Sequence, residues 1–132
     1  VLKTGGNDMA INWGPHFIVP SKKLTHLSGK VVLRESFDEE LLNKELASCG
    51  VTGSPVRATN PWYYRKKNAE TWIKIGESSD RGNWFSVSWD TTELENGAYQ
   101  ILGVMHVFIR DGDREQVVCR ENIVDVMVEN PA

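Results

Sequence analysis

Several scarcities narrow the reading of this chain before any motif is sought. Cysteine occurs twice, at Cys49 and Cys119. Two thiols so far apart in sequence either pair in an oxidising compartment or stay separate as buried thiols, and their positions decide neither. There is no apolar run of the roughly 18 residues that a transmembrane helix needs. An excess of positive charge is missing as well: 15 Lys and Arg against 18 Asp and Glu leave a net charge of −3. That removes the basic footprint expected for binding nucleic acid or an anionic membrane. No Asn-x-Ser/Thr sequon occurs, since Asn60 and Asn130 each precede proline, so N-glycans are not expected. The chain opens on Val1 and reads as a piece of a longer protein, so a missing signal peptide says nothing about the parent.

The usual signatures of chemistry are absent too. There is no Gly-x-Ser-x-Gly elbow, and Gly5-Gly6 and Ser28-Gly29-Lys30 lack the full spacing of a phosphate loop. His16, His26 and His106 show no metal-ligand spacing, with no His or Cys two to four residues away. Asp111-Gly112-Asp113 with Glu115 invites a calcium reading. The EF-hand pattern fails there, because its glycine slot holds Gln116 and its bidentate glutamate slot holds Asn122. A plain hairpin turn is the better reading. No catalytic residue, metal site or cofactor is expected.

What remains is a chain of 132 residues, 40% hydrophobic and 25% charged, of a size and composition that suit one globular domain. Residues 1–15 read as an irregular linker or the end of a preceding domain, punctuated by Gly5-Gly6 and Gly14-Pro15. His16 to Val19 is a short strand candidate. In Lys30 to Phe37, the period-2 alternation of a strand puts Val31, Leu33, Glu35 and Phe37 on one face. Glu35 on that apolar side calls for an edge position or a partner. Residues 38–48 change character: Ser36 with Glu39 makes a capping-box pattern, Leu41, Leu42 and Leu46 form an apolar stripe, and Gly50 is a stop. They predict one short helix. Further strands are expected over Pro55 to Lys67, Thr71 to Ile75, Phe85 to Trp89, Tyr99 to Ile109 and Gln116 to Val128, with turns at Lys67-Asn68-Ala69, Asn96-Gly97 and Asp111-Gly112-Asp113. Short strands with regular turns imply an all-β fold, a sandwich or barrel.

Three segments resemble the immunoglobulin-like and fibronectin type III-like domains of bacterial secreted multidomain enzymes and adhesins. They are Leu27 to Leu33, Tyr63 to Glu77 with Trp72 and Ile75-Gly76, and Phe85 to Ile101. The order Trp89-Asp90-Thr91-Thr92, then Asn96-Gly97 and Tyr99, is the most specific. The resemblance implies an immunoglobulin-like antiparallel β-sandwich over residues 16–132, with the helix at about 38–48 inserted. Trp89 is expected to plug the core and Tyr99 to form a tyrosine corner. The Tyr99–Asp111 stretch is longer than usual and suggests a bulge. The resemblance also implies an accessory role: a non-catalytic structural or interaction module of an extracellular or cell-surface protein, acting on a neighbouring domain of the same chain.

The alternative reading comes from the aromatic residues. Five tryptophans, at positions 13, 62, 72, 84 and 89, are many for this length. Aromatic faces stack on sugars and anchor protein interfaces. Trp62, Tyr63, Tyr64 and Arg65 form the best patch, and Trp84 beside Arg81-Gly82-Asn83 extends it. Successive strand residues face opposite ways, so at least one of those rings should point outward. These five residues are the candidates for binding a polysaccharide or glycan, while Trp72 and Trp89 are expected in the core.

Overall fold

The computed structural model describes residues 2–5, 8–11, 26–35 and 39–131. The strand expected at His16 to Val19, Trp13, the Ser36 cap and Phe37 lie outside the described residues.

Among the described residues the fold is all-β with one α-helix. Its elements in chain order are β1 (Leu2–Gly5), β2 (Asp8–Ile11), β3 (His26–Leu27), β4 (Lys30–Leu33), α1 (Glu39–Ser48), β5 (Ser54–Lys66), β6 (Ile73–Ser78), a 3₁₀ turn (Arg81–Asn83), β7 (Val87–Asp90), β8 (Gly97–Asp111) and β9 (Arg114–Val128). No helix among the described residues is long and apolar enough to cross a membrane.

The spine is the β8–β9 hairpin. Its register runs from Gly97↔Val128 to Asp111↔Arg114 with no shift, closed by Gly112 at φ +64°. Strict alternation explains this. Tyr99, Ile101, Met105, Val107 and Ile109 are buried on one face and meet Val118 and Val126 of β9. The bulge expected within Tyr99–Asp111 lies instead in the neighbouring strand. There β5 slips against β8 between Pro55 and Arg57, and against β6 between Trp62 and Tyr63. Proline has no N–H to give to a ladder, so a bulge there accommodates Pro55.

The main sheet has the order β1-β2-β9-β8-β5-β6, with β3 also on β9. It is mixed, which corrects the antiparallel expectation. Both β2 and β3 run parallel to β9, at Met9↔Val118 and Leu27↔Val128. Where residues 1–15 read as irregular, β1 and β2 pair with each other and add to that edge. Thr4, Gly5 and Asp8, read as loop punctuation, belong to these two strands, with Gly5 opposite Asp8.

A separate antiparallel ribbon, β4 with β7, covers one end of the sheet's inner face. Val31, Leu33 and Trp89 pack there on Trp62, Tyr99, Ile101, Val126 and Val128. A four-residue ribbon spans only about 13 Å, whereas the 15-residue strands beneath it run about 50 Å. Helix α1 fills the difference. Leu42 and Leu46 seat on Met105, Val107, Ile109 and Val118, with Phe85 at the join. The helix stops as expected at Gly50, φ +74°, where Val51 N–H bonds Leu46 C=O and Gly50 N–H bonds Ala47 C=O.

The seam between the two covers is polar. Trp62, Gly103 and Asn122 form one row across the sheet, and Met105 and Arg120 the next. Glu35 comes down on this seam from the end of β4, still in the buried phase of Val31 and Leu33.

Candidate functional site

The turn from Asp80 to Ser86 sits over that seam. The Asp80 side chain caps the 3₁₀ turn by accepting from Gly82 N–H at 2.9 Å. Trp84 N–H then bonds Arg81 C=O, and Phe85 N–H bonds Asp80 C=O. Trp84 and Phe85 both take left-handed backbone, at φ 63° and 54°. For a side-chain-bearing residue this costs on the order of 1 kcal/mol each. Two bonds from the fold hold the strained pair: Glu35 N–H donates to Trp84 C=O and Trp62 Nε1–H to Phe85 C=O, each at 2.9 Å. The outcome is asymmetric. Phe85 is buried beneath the turn, whereas Trp84 stays 53% exposed above it. The strand expected over Phe85–Trp89 accordingly begins only at Val87.

Under the turn lies a buried ion pair. Glu35 Oε1 is 3.4 Å from Arg120 Nη2 and accepts from Asn122 Nδ2 at 2.9 Å. Both charged side chains are fully buried. Burial pushes the Glu35 carboxyl up from 4.5 to about 7, against the opposing pull of Arg120 and Asn122. Burial also lowers the Arg120 pKa, while the charges of Glu35 and Glu45 hold it up. Glu35 Oε2 and Asn60 Oδ1 are buried without a hydrogen-bond partner.

Two recesses meet at this turn. One, of about 230 Å³, is lined by Glu35, Arg81, Trp84 and Phe85. The other, a groove of about 480 Å³, shares Arg81 and Phe85 and runs along the start of β5 past Arg57, Thr59, Ser79 and Glu39. The groove exists because β6 pairs with β5 only from Asn60 onward. The cations along it have carboxylate partners: Arg81 Nη2 meets Glu39 Oε2 at 3.3 Å, and Arg57 Nη2 meets Glu115 Oε1 at 3.1 Å.

The five sequence candidates are not brought together on one face. Trp62 is fully buried at the centre of the core. Tyr64 shares its inward phase and packs on Trp89 and Tyr99, with ring centroids 5.3 and 6.3 Å away. Tyr63 and Arg65 take the opposite, outward phase. Arg65 lies over the Trp72 ring at 4.0 Å and bonds Gln100 at 2.9 Å. Trp84 borders the recess at the turn, whereas Tyr64 and Arg65 line a separate, more open one of about 450 Å³ with Thr71, Ile73 and Glu95. Of the expected core rings, Trp89 is buried and Trp72 is half-buried beneath Arg65.

Sequence reasoning flagged Glu35 but missed Arg120 and Asn122. A signal was present, because both sit in the same period-2 phase as Val118, Val124 and Val126. Elsewhere, Cys49 is half-buried and Cys119 is buried in β9. Asp111 accepts from Thr52, and Glu115 pairs with Arg57 and Arg110. His26 Nδ1 lies 3.0 Å from Glu129 Oε1. Compared with known proteins, the chain matches no family model, and no curated protein and no solved structure is significantly similar to it.

Proposed function

We propose that this chain is an immunoglobulin-like β-sandwich serving as a non-catalytic structural and interaction module of a larger extracellular protein. Three features support the fold part of the reading. The β4–β7 ribbon faces the β9-β8-β5-β6 sheet across one core. Tyr99 Oη donates to Glu95 C=O at 2.7 Å, the tie of a tyrosine corner. Asp90 accepts from both the N–H and the hydroxyl of Thr92, shaping the crossover out of β7.

One observation carries the functional part. Asn130, just past β9, is bonded to two connections, β3–β4 at Gly29 and β7–β8 at both Thr91 and Asn96. Its Oδ1 accepts from Gly29 N–H at 3.1 Å, its Nδ2 donates to Thr91 C=O at 2.7 Å, and its main chain exchanges bonds with the Asn96 side chain at 2.8 and 3.0 Å. Thr91 Oγ1 joins the same knot through Gly29 C=O at 2.7 Å. The end of β9 is thereby fixed to both layers. That is the mechanical property a spacer needs in order to orient a neighbour, where a frayed end would leave domain motion free.

The test compares the neighbouring domain of the parent protein alone and joined to this module. A raised Tm of the joined neighbour, reduced again by Asn130→Ala, supports the reading. Two unfolding transitions identical to those of the separate domains overturn it.

A further inference from the structure

We infer that the recess between Trp84 and Arg81 is a subsite for one residue of a neutral saccharide, the Trp84 indole stacking on the sugar's C–H face and the Arg81–Glu39 pair taking its hydroxyls. The inference rests on the reading of the chain as an interaction module and names a ligand class and a site for it.

Strain is the first argument. Trp84 adopts left-handed backbone, yet half of its surface stays in solvent. Core packing does not account for that cost, because Phe85 alone goes down into the core. Strained backbone of this kind concentrates where a side chain must be held ready for a ligand. Here the turn is locked from beneath by Glu35 N–H and Trp62 Nε1–H, and from within by Asp80. The backbone that presents the indole is therefore preorganised, and binding would have only the side-chain torsions left to order.

The second argument is charge. Arg81 and Arg57 are the cations that line the two recesses, and Glu39 and Glu115 pair with them, while the Glu35–Arg120 pair lies buried beneath. Such a surface has no net field to draw an anion or a cation. It does offer donors and acceptors side by side, at the guanidinium of Arg81 and the carboxylate of Glu39. Vicinal hydroxyls, each both donor and acceptor, match that arrangement. The adjoining groove beyond Arg81 has room for further sugar residues.

An extended peptide adding to the open edge of β5 is the rival occupant. The register shift between Pro55 and Arg57 counts against it, because a bulge and a proline are devices that prevent strand addition.

The experiment titrates the whole chain with cellohexaose, xylohexaose, mannohexaose, laminarihexaose and chitohexaose, by calorimetry and tryptophan fluorescence. Saturable binding of at least one is expected. Trp84→Gly should weaken it at least 10-fold and Arg81→Ala should weaken it measurably, while Trp72→Ala on the far face leaves it unchanged. Glycine suits left-handed backbone, so Trp84→Gly should keep or raise Tm. Three results would each overturn the inference: none of the five hexasaccharides binds, binding survives Trp84→Gly, or Trp84→Gly lowers Tm and so makes the ring structural. None of these bears on the joined-domain test above, which judges the module reading separately.

Discussion

Glu35 and Arg120 form an ion pair with no exposed surface on either side chain, 3.4 Å apart at the seam where the ribbon and the helix meet. A buried pair is weak evidence for stability, since desolvation offsets much of the attraction, but removing one partner strands the other. At pH 8, Arg120→Met should cost about 3–5 kcal/mol in urea unfolding. The double variant Glu35→Leu/Arg120→Met should recover most of that. If the double variant is no more stable than Arg120→Met, the pair is not the source of the loss.

The same carboxyl sets a pH dependence of definite sign. Its pKa in the folded chain is raised from 4.5 to about 7 by burial. The folded state therefore holds a proton that the unfolded chain has released. The stability this contributes is complete below about 4.5 and is lost as pH rises through about 7, by at most about 3 kcal/mol. Glu35→Gln keeps the shape without the titration, so its unfolding free energy should stay flatter over that window. Asp90, Glu95 and Glu115, all lowered by their hydrogen-bond partners, act in the opposite sense at acid pH. They are common to both proteins and drop out of the difference. Parallel curves for the two proteins between pH 4.5 and 7 would rule this out.

Tyr99→Phe isolates a single hydrogen bond. The ring is buried between Trp89 and Tyr64, and phenylalanine preserves that packing. Only the bond to Glu95 C=O is lost, which should cost about 1 kcal/mol and lower Tm by roughly 3–6 °C. Thermal unfolding by circular dichroism reads it directly. An unchanged Tm would mean that water replaces the bond at no cost.

What could be read from the sequence was what repeats with local period. Lys30 to Glu35 and Tyr99 to Ile109 print their buried faces in alternation, and the structure buries those same faces. Glu35 stood out because it broke the pattern, and it has the partners its position called for. The parallel seating of β2 and β3 on β9 was hidden, because strands of four and two residues carry no trace of which edge they will meet. Phe85 misled by the same token. It fits the period of Val87 and Trp89, yet its conformation is set by bonds from residues 35 and 62, far off in the chain. Trp62-Tyr63-Tyr64 looked like a surface patch by composition. Only the register, with Trp62 opposite Gly103, sends two of its three rings inward.

Two glycines offer a contrast that separates backbone conformation from space. Gly50 ends α1 at φ +74°, and a Cβ there would meet nothing within 4 Å. Gly50→Ala should therefore cost only the left-handed penalty, about 1 kcal/mol. Gly53 has φ +116°, and its Cβ would come within 2.5 Å of Arg110 C=O. That carbonyl belongs to the hairpin spine, where β8 pairs without interruption to β9, so it has little freedom to retreat. Gly53→Ala should cost about 3 kcal/mol, combining overpacking with strain. Urea unfolding of the two variants side by side decides the matter. Equal losses would show that the loop from α1 to β5 shifts as a unit and that the close approach of Gly53 to β8 is not a constraint on the fold.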